Sequence, residues 1–154
     1  VIIQHEDMHI KNLSLIYDKD LVFFAPLYDV SCTGIYDTSK GYDSHLTING
    51  KQSNIRPNDF KPLCKILKID FKEFKEEAFK IAKLYEIELP SYIEEIKALG
   101  SISFYKKKQK ARIGEGAYLK VSKIPIEFHE LLSKFHKERV EHLKALGWII
   151  NESL

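Results

Sequence analysis

Cysteine is scarce in this sequence: Cys32 and Cys64 stand 32 residues apart with no C-x-x-C pair, which argues against a disulfide scaffold or a cysteine zinc site. No signal-like leader opens the chain, so a reducing cytoplasm is the expected setting. No apolar run approaches the roughly 20 residues of a membrane-spanning helix, and the expectation is a soluble protein with no membrane partner. An excess of one charge is absent too: 24 basic and 22 acidic residues leave a net charge of +2, too mild to announce a nucleic-acid binder. There is no internal repeat of fixed period. The one biased stretch is Lys106-Lys107-Lys108-Gln109-Lys110 with Arg112 beyond it. Such a run could touch phosphate or an acidic partner, but a solvated loop is its more ordinary reading.

What remains is ordinary globular material. With 44% hydrophobic and 30% charged residues over 154 positions, the chain fits one domain that buries roughly two-thirds of its unfolded surface. Val1-Ile2-Ile3 reads as a buried strand, a beginning cut from something longer. Residues 13–17 and 21–25 are apolar runs around Asp18-Lys19-Asp20, the pattern of a hairpin. Residues 31–54 are rich in Gly, Ser, Thr, Asp and Asn, a loop region with one strand-like piece, His45-Leu46-Thr47-Ile48, before Asn49-Gly50.

Beyond Pro57 the period becomes helical. Phe60, Leu63, Cys64 and Leu67 share a face, with Asn58 available as N-cap and Pro62 in the first turn. Asp70 with Glu73 opens the clearest helix, whose stripe is Phe71, Phe74, Ala78, Ile81, Ala82 and Tyr85. Ser91 with Glu94 predicts a separate short helix ending at Gly100, and a last helix is expected from near Pro125 to Gly147. The C-terminal two-thirds is thus expected to be mainly helical. Cys64 reads as a small buried hydrophobe, His129, His136 and His142 as surface or boundary residues, and Trp148 as either a packing anchor or a partner contact.

The segment with chemical content is His5-Glu6-Asp7-Met8-His9-Ile10-Lys11-Asn12, followed after the hairpin by Ala25-Pro26-Leu27-Tyr28-Asp29. Phosphoryl transfer needs a carboxylate that orients the attacking hydroxyl and oxygen ligands that hold magnesium against the phosphates. Asp7 could serve as the first, and Asn12 and Asp29 as the second, with His9 and Lys11 bordering the phosphates. The rival reading of His5, Asp7 and His9 as a zinc or iron clamp leaves Asn12 and Asp29 unexplained. An ordinary polar turn explains any one cluster, but not two in register.

His5-Glu6-Asp7 with Asn12 is similar to the H-R-D-x-x-x-x-N loop of protein kinases, with Glu in place of Arg. More closely, Asp7-Met8-His9-Ile10-Lys11-Asn12-Leu13-Ser14 resembles the D-x-H-x-K-N-x-S segment of the HipA family. Ala25–Asp29 resembles that family's next landmark, and Leu46-Thr47-Ile48-Asn49-Gly50-Lys51 its L-x-I-x-G-K segment. The likeness covers about residues 1–70.

The resemblance implies that Asp7 is the catalytic base, that Asn12 and Asp29 are magnesium ligands, and that His9, Lys11 and Tyr28 neighbour the nucleotide. It implies a bacterial toxin of the HipA/HipB type that uses ATP and Mg²⁺ to phosphorylate a Ser or Thr hydroxyl of a protein, typically an aminoacyl-tRNA synthetase. A HipB-like antitoxin would restrain it, with DNA reached only through that antitoxin. The fold implied is mainly α with a small β-hairpin region, the lower (C-terminal) lobe of a HipA-like, protein-kinase-related fold spanning residues 1–154.

The phosphate-covering loop and strand Lys of a kinase precede this loop in the family, and Gly114-Glu115-Gly116 is only a turn signal. The chain is therefore expected to be a poor kinase without an upstream lobe. The alternatives are a non-catalytic, truncated kinase-like module that binds an antitoxin or regulatory partner, and a small-molecule or lipid kinase.

Overall fold

Ser14 to Ala25 fold back on themselves because two apolar runs meet across a two-residue turn. In the structure, a computed structural model describing residues 1–36, 39–100, 102–107, 111–113, 116–118 and 121–150, strands β1 (Leu15–Asp18) and β2 (Leu21–Phe24) pair antiparallel, Leu15 opposite Phe24 and Asp18 opposite Leu21. Lys19 takes a positive φ to close the turn. Both strands expose their apolar side chains. The hairpin therefore contributes position, not core: it returns the chain from Asn12 to Asp29.

Three expectations for residues 1–58 are corrected. Val1-Ile2-Ile3 forms a turn, not a strand, since no strand among the described residues pairs with it. Its carbonyls are satisfied instead by the Gln4 N–H and by the Arg139 guanidinium. The strand-like piece at His45–Ile48 shrinks to a single bridge between Ile48 and Lys51, because Asn49 and Gly50 both take positive φ and turn the chain at once. Asn58 caps nothing. It lies inside a 3₁₀ turn (Pro57–Phe60) that feeds helix α1 (Lys61–Leu67), and the N–H at the entry, that of Arg56, is met by Asp59. Pro62 does sit in the first turn of α1, and Cys64 is buried.

Helix α2 (Phe71–Ala98) begins where the capping signal places it, with the Asp70 carboxylate accepting from the N–H groups of Lys72 and Glu73 at 2.8 and 2.9 Å. It then continues through Pro90 to Ala98, so the separate helix expected from Ser91 does not form. Pro90 only forgoes one backbone hydrogen bond there, and the Ser91 hydroxyl donates back to the Glu88 carbonyl at 2.7 Å rather than capping a new start. Along its stripe, Ala78 and Ala82 are buried and let the last helix approach closely. Ile81 is turned away and is 54% exposed.

The expected helix start near Pro125 is also corrected. Residues 102–126 hold four strands, β3 (Ile102–Lys107), β4 (Ala111–Ile113), β5 (Gly116–Tyr118) and β6 (Val121–Ile126), paired β3 with β6 and β4 with β5, all antiparallel. Pro125, opposite Ser103, is tolerated because each strand of a two-stranded ribbon is an edge. Of the basic run, Lys106 and Lys107 end β3 and Arg112 lies in β4. Lys108, Gln109 and Lys110 fall outside the described residues, as do Gly114 and Glu115 of the Gly-Glu-Gly signal.

Helix α3 (Phe128–Leu146) follows and ends at Gly147, whose φ of 81° suits glycine. The described chain is thus mainly helical with small antiparallel ribbons, more β than the sequence suggested. The core joins Ala78 and Ala82 of α2 to Val140, Leu143 and Leu146 of α3, with Ile55, Trp148 and Ile149 between. Trp148 is a packing anchor: it is 2% exposed, and its Nε1–H donates to the Ile55 carbonyl at 2.7 Å. His136 bonds the Tyr85 carbonyl at 3.1 Å, and His129 and His142 lie at the boundary.

Candidate functional site

Asn12 ends a 3₁₀ turn (Ile10–Asn12) whose tight winding throws its side chain inward, so an amide flanked by exposed Lys11 and Leu13 is itself 3% exposed. A buried amide needs partners. Its Oδ1 accepts from the His9 N–H at 3.0 Å, and its Nδ2 donates to Asp29 Oδ2 at 3.0 Å. The second contact spans 17 positions and is made possible by the hairpin between the two residues.

Asp29 holds a φ of 54°, a left-handed conformation that aspartate adopts more readily than most non-glycine residues. The neighbouring Tyr28 is tied down. The Tyr28 hydroxyl donates to the Lys11 carbonyl and lies 3.0 Å from Ser14 Oγ. Tyr28 thus links the end of the hairpin to the loop that carries Asn12. His9 and Lys11 are exposed on the same turn.

Asp7 is exposed and opens into a pocket of about 310 Å³ lined also by Glu6, Thr33, Tyr36 and Ser39. Six predicted residues therefore lie on two adjoining segments, with Asn12 and Asp29 in direct contact. For the zinc or iron reading, no three of His, Cys, Asp or Glu gather to hold a metal among the described residues. Asn12 and Asp29 remain a fitting pair for magnesium. Asp29 Oδ1 takes no hydrogen bond from a described residue, Asn12 Oδ1 keeps a second lone pair, and a hard cation that retains waters asks for no larger protein donor set.

Sequence reasoning missed the frame around this loop. Glu6, flagged only as a departure from a kinase pattern, accepts three hydrogen bonds from residues 39–42. Arg139 is buried and holds Asp43 Oδ1 at 2.7 Å and the Ile2 carbonyl at 3.0 Å. Gly34 must remain glycine, since a Cβ there would come within 2.5 Å of Gln4 Oε1 and of the Phe135 ring.

The third landmark has a structural role in this geometry. Lys51 places Nζ 2.8 and 3.0 Å from the two Asp59 oxygens, and Asp59 also accepts from Arg56 N–H at 2.8 Å. The Lys51 ammonium, then the Arg56 N–H, hold the Asp59 carboxyl below its usual range. A lowered carboxylate contributes stability that is full above its unfolded value, about pH 3.9, and lost as pH falls through its folded value. Lys51→Met is therefore expected to cost up to about 1 kcal/mol at pH 7, Lys51 being half-exposed. The gap to wild type should close as pH falls below that window in urea titrations.

A family model described as the HipA-like C-terminal domain matches residues 1–100. No curated protein matches the chain, and no solved structure does. No described helix is long and apolar enough to cross a membrane.

Proposed function

The chain belongs to the HipA-like C-terminal domain family, and on that footing we propose that it carries the catalytic-loop lobe of a kinase. This enzyme would transfer phosphoryl groups from ATP to a Ser or Thr hydroxyl of a protein. The observation that carries the reading is the 3.0 Å contact between Asn12 and Asp29, which brings an amide and a carboxylate from separate segments to one point, on the same loop five positions along the chain from Asp7.

In this reading Asp7 orients the acceptor hydroxyl and takes its proton. Asn12 Oδ1 and Asp29 would hold Mg²⁺, which when bound neutralises charge on the phosphates. His9 and Lys11 border those phosphates. Tyr28, whose hydroxyl is already engaged with Lys11 and Ser14, fixes the distance between the two segments. The family context is a toxin restrained by a HipB-like antitoxin, with DNA reached through that partner, an aminoacyl-tRNA synthetase as the kind of protein modified, and a cytoplasmic setting.

One observation favours a second reading. The hairpin exposes Leu15, Tyr17, Leu21 and Phe24, a surface that a non-catalytic module could use to hold a regulatory partner. Calorimetric titration with ATP and magnesium separates the two, run on the protein as its gene encodes it, on residues 1–154, and on Asp29→Ala. The kinase reading expects magnesium-dependent binding that Asp29→Ala weakens by at least about 10-fold, the loss of one charged ligand. A folded protein that ignores Mg-ATP leaves the module reading in its place.

A further inference from the structure

Glu6 stands next to Asp7 in the chain and lines the same pocket, but its carboxylate is taken up by other residues. Its Oε1 accepts from the Ser39 hydroxyl at 2.6 Å and the Tyr42 N–H at 3.1 Å, and its Oε2 accepts from the Lys40 N–H at 2.9 Å. Its own N–H donates to Thr33 Oγ1 at 2.8 Å, and the Thr33 hydroxyl donates to the Gln4 carbonyl at 2.7 Å. Five hydrogen bonds from Gln4, Glu6 and Thr33 thus fasten residues on either side of Tyr36 to the loop that presents Asp7. Thr33, Tyr36 and Ser39, held in this way, are the wall of the pocket into which Asp7 opens.

We propose that Glu6 is the positioning residue for the acceptor side of the site. Its carboxylate gathers residues 39–42 against the catalytic loop and so forms the pocket that receives the acceptor hydroxyl. This rests on the phosphotransfer reading. A carboxylate suits the task because it accepts several N–H and O–H groups at once, each bond strengthened by the charge. The arginine that kinases place here can only donate, and could not collect these donors. Burial opposes the charge on Glu6, but the Ser39 hydroxyl and the N–H groups of Lys40, Tyr42 and Gly41 outweigh it and hold the carboxyl below its usual range. The clasp therefore persists at neutral pH and loosens only as pH falls through that lowered value. Asp7, Tyr36, Lys40, Tyr42 and His5 are the other titratable groups around it, so a Glu6→Gln control is needed to isolate its titration.

The test has two arms. On residues 1–154, amide exchange at Lys40 and Tyr42 is followed by NMR from pH 7 downward in wild type, Glu6→Gln and Glu6→Ala. On the protein as its gene encodes it, phosphoryl transfer from Mg-ATP is measured with casein as the acceptor probe and with water. The clasp predicts exchange at both amides about 10-fold faster in Glu6→Gln at pH 7, the loss of a charged hydrogen bond. It also predicts an acid-dependent loss of protection in wild type that Glu6→Gln lacks. KM for casein should rise about 10-fold, with KM for ATP within about twofold.

Unchanged exchange overturns the proposal, and so does a fall in kcat with KM for casein unmoved. Should Glu6→Ala not fold, Glu6→Gln carries the test alone. If the whole protein transfers phosphate to neither casein nor water, the kinase reading fails and takes the acceptor role with it. The exchange arm then still reports whether Glu6 is a structural tie.

Discussion

Replacing Arg139 with leucine is expected to lower the unfolding free energy by roughly 3–5 kcal/mol, the usual effect of removing one partner of a buried ion pair. It would be read as a fall in the urea midpoint at constant slope. Arg139 is 5% exposed and Asp43 2% exposed, so each charge relies mainly on protein partners. The guanidinium holds Asp43 Oδ1 at 2.7 Å, the Ile2 carbonyl at 3.0 Å and the Val1 carbonyl. Leucine would remove the donor of two carbonyls and leave Asp43 Oδ1 with His142 Nε2 at 3.5 Å. Asp43 Oδ2 also accepts from the buried Ile55 N–H at 3.1 Å, which an asparagine oxygen could still do. Arg139→Leu combined with Asp43→Asn should therefore be more stable than Arg139→Leu alone, because the residue left without the guanidinium is then neutral. Equal losses in the single and double variants would show that the lost carbonyl contacts, and not the buried charge, set the cost.

The consequence reaches the site. Residues 1–100 match the HipA-like family, whereas Arg139 lies on α3 beyond that stretch, and it ties α3 to the turn that leads into Gln4, Glu6 and Asp7. The loss in Arg139→Leu should thus be felt first where the loop that carries Asp7 begins.

This tie also marks the boundary of what the sequence could tell. Arg139 and Asp43 are 96 positions apart, and nothing local distinguishes either from an ordinary surface charge. By contrast, short-range signals were legible. Asp70 with Glu73 marked the start of α2, Gly147 the end of α3, and the apolar runs around Lys19 the hairpin, because each is set by the backbone needs of a few neighbours. That Asn12 and Asp29 meet could be argued from that hairpin alone. Two helix-start signals misled, Ser91 with Glu94 and Pro125. Pro90 sits inside a helix long enough to spare one hydrogen bond, and Pro125 sits on a ribbon edge where its missing N–H is harmless. Both outcomes depend on packing that no local window contains. Glu6 was visible as an anomaly, but its donors lie 33–36 positions away, in a loop whose path has no periodic signal.

The second large effect concerns Asp7. In the protein as its gene encodes it, Asp7→Asn is expected to lower kcat for phosphoryl transfer by about 10²–10⁴-fold, the range for loss of a positioned general base. Mg-ATP affinity should stay within about twofold. The separation follows from geometry: Asp7 opens into the pocket with Glu6, Thr33, Tyr36 and Ser39, while the Asn12–Asp29 contact that would serve the nucleotide lies on the turn and hairpin beyond it. Asparagine keeps the size and one acceptor oxygen of Asp7, so it should neither disturb the loop nor remove all orientation of the hydroxyl. It lacks only the carboxylate that takes the proton. Calorimetry and initial rates on the same preparation decide the matter. If Asp7→Asn loses nucleotide affinity as Asp29→Ala does, Asp7 belongs to the nucleotide side of the site and another group must serve the acceptor. If it keeps both affinity and rate, the loop is not the phosphotransfer centre.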